Sequence, residues 1–94
     1  MEDSRQIENL IYRYAELIDD GNLEEVAELF RNAEIVSTVH CVRRQGFDEV
    51  LQMYRSSCRI YETTGTPLTK HLTTNVIIEL DEDGKTASAR SYYT

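Results

Sequence analysis

Ninety-four residues suffice for one small domain with a modest core, and 29% charged against 40% apolar residues is the balance of a folded, soluble chain rather than a disordered one. The net charge of −7, most of it in the first 34 residues, argues against a nucleic-acid partner, because phosphate binding needs a basic stripe. No apolar run approaches the ~18–20 residues of a membrane span, and the opening Met1-Glu2-Asp3-Ser4 lacks the basic and apolar regions of a signal peptide, so a cytoplasmic protein is expected.

Cys41 and Cys58 are too few and too far apart for a disulfide framework, and neither has a second Cys or His at a zinc spacing. Both are expected to be reduced thiols, with no metal site and no cofactor.

In chain order, a first helix is predicted to open at Asp3 or Ser4. Asp3 with Gln6 fits a capping box, which would satisfy orphan N–H groups. Ile7, Leu10, Ile11, Tyr14, Leu17 and Ile18 then recur at helical spacing. Tyr14 in that stripe reads first as a core aromatic. Gly21 ends the helix, since it can take a left-handed conformation without a Cβ clash. Asn22 is the next N-cap, with Glu25 placed to reach back, and Leu23, Val26, Ala27, Leu29 and Phe30 make a short second helix at an angle to the first. Residues 35–42 are β-branched and predict one strand, with room for a bend, which Arg43-Arg44-Gln45-Gly46 leaves. His40 is a strand histidine of no assigned role, and Arg43, Arg44, Arg55 and Arg59 are expected to solvate a strand end and a helix face. Gly46 starts a third helix with Phe47, Val50, Leu51, Tyr54, Cys58 and Tyr61 as its buried stripe. Residues 62–67 are loop, and Pro67 stands where it disrupts no ladder bond.

Residues 69–94 read as a long β-hairpin. Thr, Val and Ile dominate the first arm, Thr, Ser and Tyr recur in the second, and Asp81-Glu82-Asp83-Gly84 between them is turn chemistry. A four-residue loop at 81–84 would set Leu80 against Lys85, Ile78 against Ala87, Val76 against Ala89, Thr74 against Ser91 and Leu72 against Tyr93 on one mostly apolar face. The other face would carry Ile77/Ser88, Asn75/Arg90, Thr73/Tyr92 and His71/Thr94, polar but mostly uncharged in the manner of a pocket lining. Three helices before a final hairpin indicate an α+β fold, with helices on one face of a mainly antiparallel sheet.

Several segments together resemble a known family. These are residues 14–22 (Tyr14-Ala15-Glu16-Leu17-Ile18-Asp19-Asp20-Gly21-Asn22), Leu29-Phe30, Gly46, Thr69-Lys70-His71 with Asn75-Val76, and residues 87–92. The chain is similar over nearly its whole length to the SnoaL-like group of the nuclear transport factor 2-like superfamily. That superfamily includes scytalone dehydratase, bile-acid 7α-dehydratase, ketosteroid isomerase and polyketide cyclases.

The resemblance implies a single SnoaL-like domain over residues 1–94. Its sheet would be strongly curved, with three N-terminal helices on one face, in a cone-shaped α+β barrel that binds ligands inside. It implies acid–base roles for Tyr14, Asp19 and His71, with Tyr54, Thr73, Asn75 and Tyr92 on the substrate side. Loss of water from a β-hydroxy ketone needs a base for the α-proton, an acid for the departing hydroxyl and a donor to the enolate oxygen. His71, whose ordinary pKa lies near neutrality, would be base or proton shuttle, Asp19 would orient it, and Tyr14 would donate to the oxygen. Tyr14 and Asp19 are five residues apart, ~140° around an ideal helix, so both face one pocket only if the last turn before Gly21 loosens.

Set against the family, the cone is expected to be short at its C-terminal side, without two further long strands. That expectation brings a homo-oligomer, most simply a twofold dimer, which would bury the 85–94 strand or the apolar sheet face over more than ~1,000 Å². The expected function is a small acid–base lyase or isomerase of the dehydratase type, acting on a small hydrophobic carbonyl or hydroxy compound. The alternative is a non-catalytic ligand-binding or oligomerisation module on the same frame, a truncated product included. Tyr14, Asp19 and His71 favour the first and the short chain the second, because fold alone does not choose.

Overall fold

The computed structural model describes residues 3–94, which form an α+β structure of α1 (Asp3–Asp19), α2 (Leu23–Leu29), β1 (Glu34–Ser37), β2 (Val42–Gln45), α3 (Gly46–Ser57), β3 (Thr73–Leu80) and β4 (Ala87–Tyr93). The strands pair antiparallel in two separate two-stranded sheets, β1–β2 and β3–β4, where one curved sheet was expected, and no barrel closes among the described residues. By its contacts the chain divides into two compact units. One is Leu17–Thr69; the other joins the chain up to Glu16 with Lys70–Thr94.

The Leu17–Thr69 unit holds most of the buried apolar side chains: Leu17, Ile18, Leu23, Val26, Ala27, Val50 and Leu51. Its first corner is a Schellman cap. Gly21 N–H donates to Ile18 O and Asn22 N–H to Leu17 O, each at 2.9 Å, with Gly21 at φ +76°. Asn22 then caps α2, its Oδ1 accepting the Glu25 N–H at 3.4 Å. α2 packs on α3, and Val26 and Val50, both 0% exposed, are the largest side chains fully enclosed. α3 opens where Gly46, at φ +82°, follows Gln45, whose N–H is taken by the Glu49 carboxylate at 2.8 Å.

Three readings of this unit change. The predicted single strand over 35–42 is a hairpin: Ser37 pairs with Val42, and residues 38–41 turn the chain, with Cys41 at φ +55° and the His40 N–H on Ser37 Oγ at 3.3 Å. Arg43, Arg44 and Gln45 therefore belong to β2 rather than leaving a strand. A β-branched composition carried through the turn hid it. Second, α3 stops at Ser57, so Tyr61 leaves its stripe and lies under the Arg59 guanidinium, 4.8 Å from Cζ to the ring centroid. Third, Cys58 is the extended C-cap residue and only half-buried, not a core residue, while Cys41 is exposed.

In the other unit, Asp3 lies within the first turn of α1, where its carboxylate complements the helix dipole. Ser4, Ile7, Glu8, Ile11, Tyr14 and Ala15 are its less exposed residues in this unit, a stripe at helical spacing. The β3–β4 turn is one residue later than predicted. Asp81 N–H donates to Thr86 O at 2.9 Å, and the Thr86 hydroxyl bonds the Asp81 carboxylate, so residues 82–85 form the loop. Hence Leu80 pairs with Ala87, Ile78 with Ala89 and Ile77 with Arg90, a shift of two that leaves the two faces of β3 unmixed there.

Candidate functional site

Beyond Ile77 the hairpin changes phase. Thr74 pairs with Tyr92 and Thr73 with Tyr93, so Asn75 and Val76 together oppose Ser91. This is a β-bulge, and Asn75 sits in it at φ +57°. The less exposed residues of the first arm step accordingly: His71 and Thr73 before the bulge, Val76 and Ile78 after it.

The bulge re-sorts the predicted site. The expected register placed His71, Thr73, Asn75 and Tyr92 on one face. In the structure His71 and Thr73 share a face with Val76 and Ile78, and Tyr92 stands on the opposite one, with Thr74, Arg90 and Glu79. Tyr92 is 68% exposed and Asn75 is exposed. The aromatic beside His71 is instead Tyr93, with ring centroids 5.9 Å apart and planes tilted by 41°. Leu72 and Thr94 exchange both backbone bonds, at 3.2 and 3.0 Å, which holds the open end of the hairpin in this phase.

Tyr14, half-buried, belongs to the same unit as His71. The first two turns of α1 and the turn end of the hairpin enclose an open groove of about 520 Å³, lined by Ile7, Leu10, Leu80, Lys85 and Ala87 among others. Tyr14 continues the helix stripe that borders this groove. His71 continues the sheet face of Leu80 and Ala87.

Asp19 and Tyr54 belong to the Leu17–Thr69 unit, and both are half-buried. Asp19 closes α1, and its Oδ1 accepts the Thr69 hydroxyl at 2.8 Å. The same return of chain passes close to Gly21, with the Gly65 carbonyl oxygen only 2.3 Å from where a Cβ on Gly21 would stand. Thr69 and Tyr93 are the neighbours that sequence reasoning missed. An Asn inside a β-branched run was the available signal for the bulge, and so for Tyr93. Nothing local signals that Thr69 returns to Asp19, fifty residues earlier.

Among the described residues no group of three or more His, Cys, Asp and Glu side chains comes together as a metal would require, and no helix is long and apolar enough to cross a membrane. No curated protein and no solved structure matches the chain. The profile of the SnoaL-like domain family matches it over residues 1–94. With its three helices, its antiparallel hairpins and that match from end to end, the chain belongs to the SnoaL-like domain family of the nuclear transport factor 2-like superfamily.

Proposed function

We propose that this SnoaL-like domain is a cofactor-independent acid–base lyase or isomerase of the dehydratase type, taking a small hydrophobic carbonyl or hydroxy compound in the cytoplasm. The observation that carries the reading is His71: the imidazole lies half-buried on the less exposed hairpin face, against the Tyr93 ring, rather than out among the charges of the other face. In a β-elimination His71 takes the α-proton, and the electron pair moves to the carbonyl oxygen as an enolate, to which Tyr14 donates. Collapse of the enolate then expels the hydroxyl as water, with the proton returned through His71. Asp19, whose Oδ1 accepts the Thr69 hydroxyl, is the carboxylate of the proposed set. Tyr54 and Thr73 are proposed to contact the substrate.

The test is an ultraviolet assay for conjugated enone, run on a panel of β-hydroxy ketones with wild-type protein and His71→Ala. Turnover by the wild type that falls ~10²–10⁴-fold in the variant, with Tm nearly unchanged, is expected. A large drop in Tm with no change in rate would make His71 a structural residue instead.

A second reading, a module that associates through its hairpin, is favoured by β4, whose seven residues are all exposed, Tyr93 at 74%. Among the described residues no strand pairs with its outer edge, and an open edge is a template for another chain. A homodimer formed there is compatible with catalysis. Light scattering at micromolar concentration should return twice the mass of the chain; a monomer would remove the dimer from the proposal.

A further inference from the structure

The change of phase in β3 turns on one residue. If the pairing near the turn ran on unbroken, Asn75 would face Tyr92 and Thr74 would face Tyr93. His71 and Thr73 would then fall on the face of Ile77 and Glu79, where Arg90 meets Glu79 at 3.2 Å. The extra residue between Thr74 and Ile77 reverses this. In this bulge the backbone takes a positive φ at Asn75, +57°. Asn enters that region readily because its short amide bonds locally, whereas a β-branched side chain there is an outlier. The neighbours are Thr74, Val76, Ile77 and Ile78, so Asn75 is the one residue in the run suited to the position.

We propose that Asn75 is a positioning residue for His71: its left-handed backbone makes the bulge that turns the open end of β3 over, and so sets the imidazole on the less exposed face against Tyr93. Bulges commonly re-aim a side chain in this way. The amide of Asn75 is exposed, so its role lies in the backbone rather than in ligand contact. The interest of the position rests on the acid–base reading of His71, but the geometry does not.

Three variants separate this role from simple stabilisation, with NOE contacts between the His71 and Tyr93 rings in labelled protein as the readout. Asn75→Gly keeps the left-handed backbone and should keep the contact. Asn75→Val favours regular pairing and should lose it. Deleting Asn75 removes the extra residue while leaving Ile77 opposite Arg90 and Thr73 opposite Tyr93, so the deletion should also keep it. A residue important only for stability would rank the deletion as most damaging. Retention of the ring contact in Asn75→Val, or its loss in the deletion, overturns the proposal. If Asn75→Val fails to fold, the Gly variant and the deletion still decide. None of these measurements needs a substrate, so a failed enzyme assay and a failed bulge assignment are told apart.

Discussion

The Leu17–Thr69 unit and the unit built around the β3–β4 hairpin handle burial differently. The first encloses Leu17, Ile18, Leu23, Val26, Ala27, Val50 and Leu51, and fixes its corners with backbone bonds at Gly21, Asn22 and Gly46. The second has Ala15 as its buried side chain among the described residues, and its last strand is exposed throughout. Yet the hairpin unit carries His71 and Tyr14. Burial is therefore concentrated in the first unit, which also holds Asp19 and Tyr54, whereas the proposed base and oxyanion donor lie in the second. Substitutions should show it: changes in the first unit cost folding, and changes in the second should be felt in geometry and activity.

The largest effect is expected from two glycines that share a conformation. Gly21 and Gly84 both have positive φ, +76° and +69°. Alanine in a left-handed backbone costs roughly 1–2 kcal/mol at either place. At Gly84 nothing lies within 4 Å of the new methyl; at Gly21 it would meet the Gly65 carbonyl oxygen at 2.3 Å, a backbone atom that cannot step aside alone. Gly21→Ala should therefore lose more than about 2 kcal/mol, roughly 10 °C in Tm for a domain of this size, and Gly84→Ala clearly less. Equal melting temperatures would show that the 61–66 loop does not press on the α1–α2 corner.

Next in size comes a matched pair of core truncations. Val26 is fully enclosed, so Val26→Ala removes two buried methyls and leaves a cavity, costing about 2 kcal/mol. Val76 is half-buried on the hairpin, and Val76→Ala should cost about half as much. Urea unfolding of both variants measures the ratio. A Val76 variant as damaging as the Val26 one would mean that the hairpin face is covered in solution, as a dimer through it would do.

Much of the first unit was legible because its signals are local. Gly21 as helix stop, Asn22 as N-cap and Gly46 as helix start each act within one turn of chain, and the structure has each of them. The β1–β2 hairpin was not legible, because residues 38–41 keep a strand-like composition and their turn depends on a Ser37 hydroxyl and a left-handed Cys41. In the second unit the existence of the β3–β4 hairpin could be read from the acidic turn, and its faces near the turn survived a shift of two residues. The far end did not survive, because a bulge inserts a single residue and alternation has a period of two. One Asn thus exchanged Tyr92 for Tyr93 beside His71. The site residues themselves came from the family resemblance; periodicity alone read Tyr14 as core.

The smallest predicted effect probes an exposed link in the better-buried unit. Arg31 grips Glu28 with a fork, Nε to Oε1 and Oε2 at 2.9 and 3.0 Å and Nη2 to Oε2 at 2.6 Å, while its guanidinium lies 4.7 Å from the Phe47 ring centroid. The end of α2 is thereby tied to the start of α3. The hydrogen bond from Arg31 is the main cause that holds the Glu28 carboxyl below its ordinary value near 4.5; desolvation opposes it, and the charge of Arg31 adds a smaller lowering. A carboxyl whose folded value is depressed gives stability that is fully present above about 4.5 and is lost as pH falls through the lower folded value. Both side chains are about half exposed, so salt screens the pair and the effect is small. Glu28→Gln should then be slightly less stable than the wild type at pH 7 in low salt, and the gap should narrow as the pH falls below the ordinary value near 4.5 and the wild-type carboxyl takes up its proton. Arg31→Lys keeps the charge but loses the fork and the stacking plane, so it should retain only part of the difference. Urea midpoints at both pH values are the measurement. A gap that persists unchanged in acid would place the contribution of Glu28 in packing rather than in its charge.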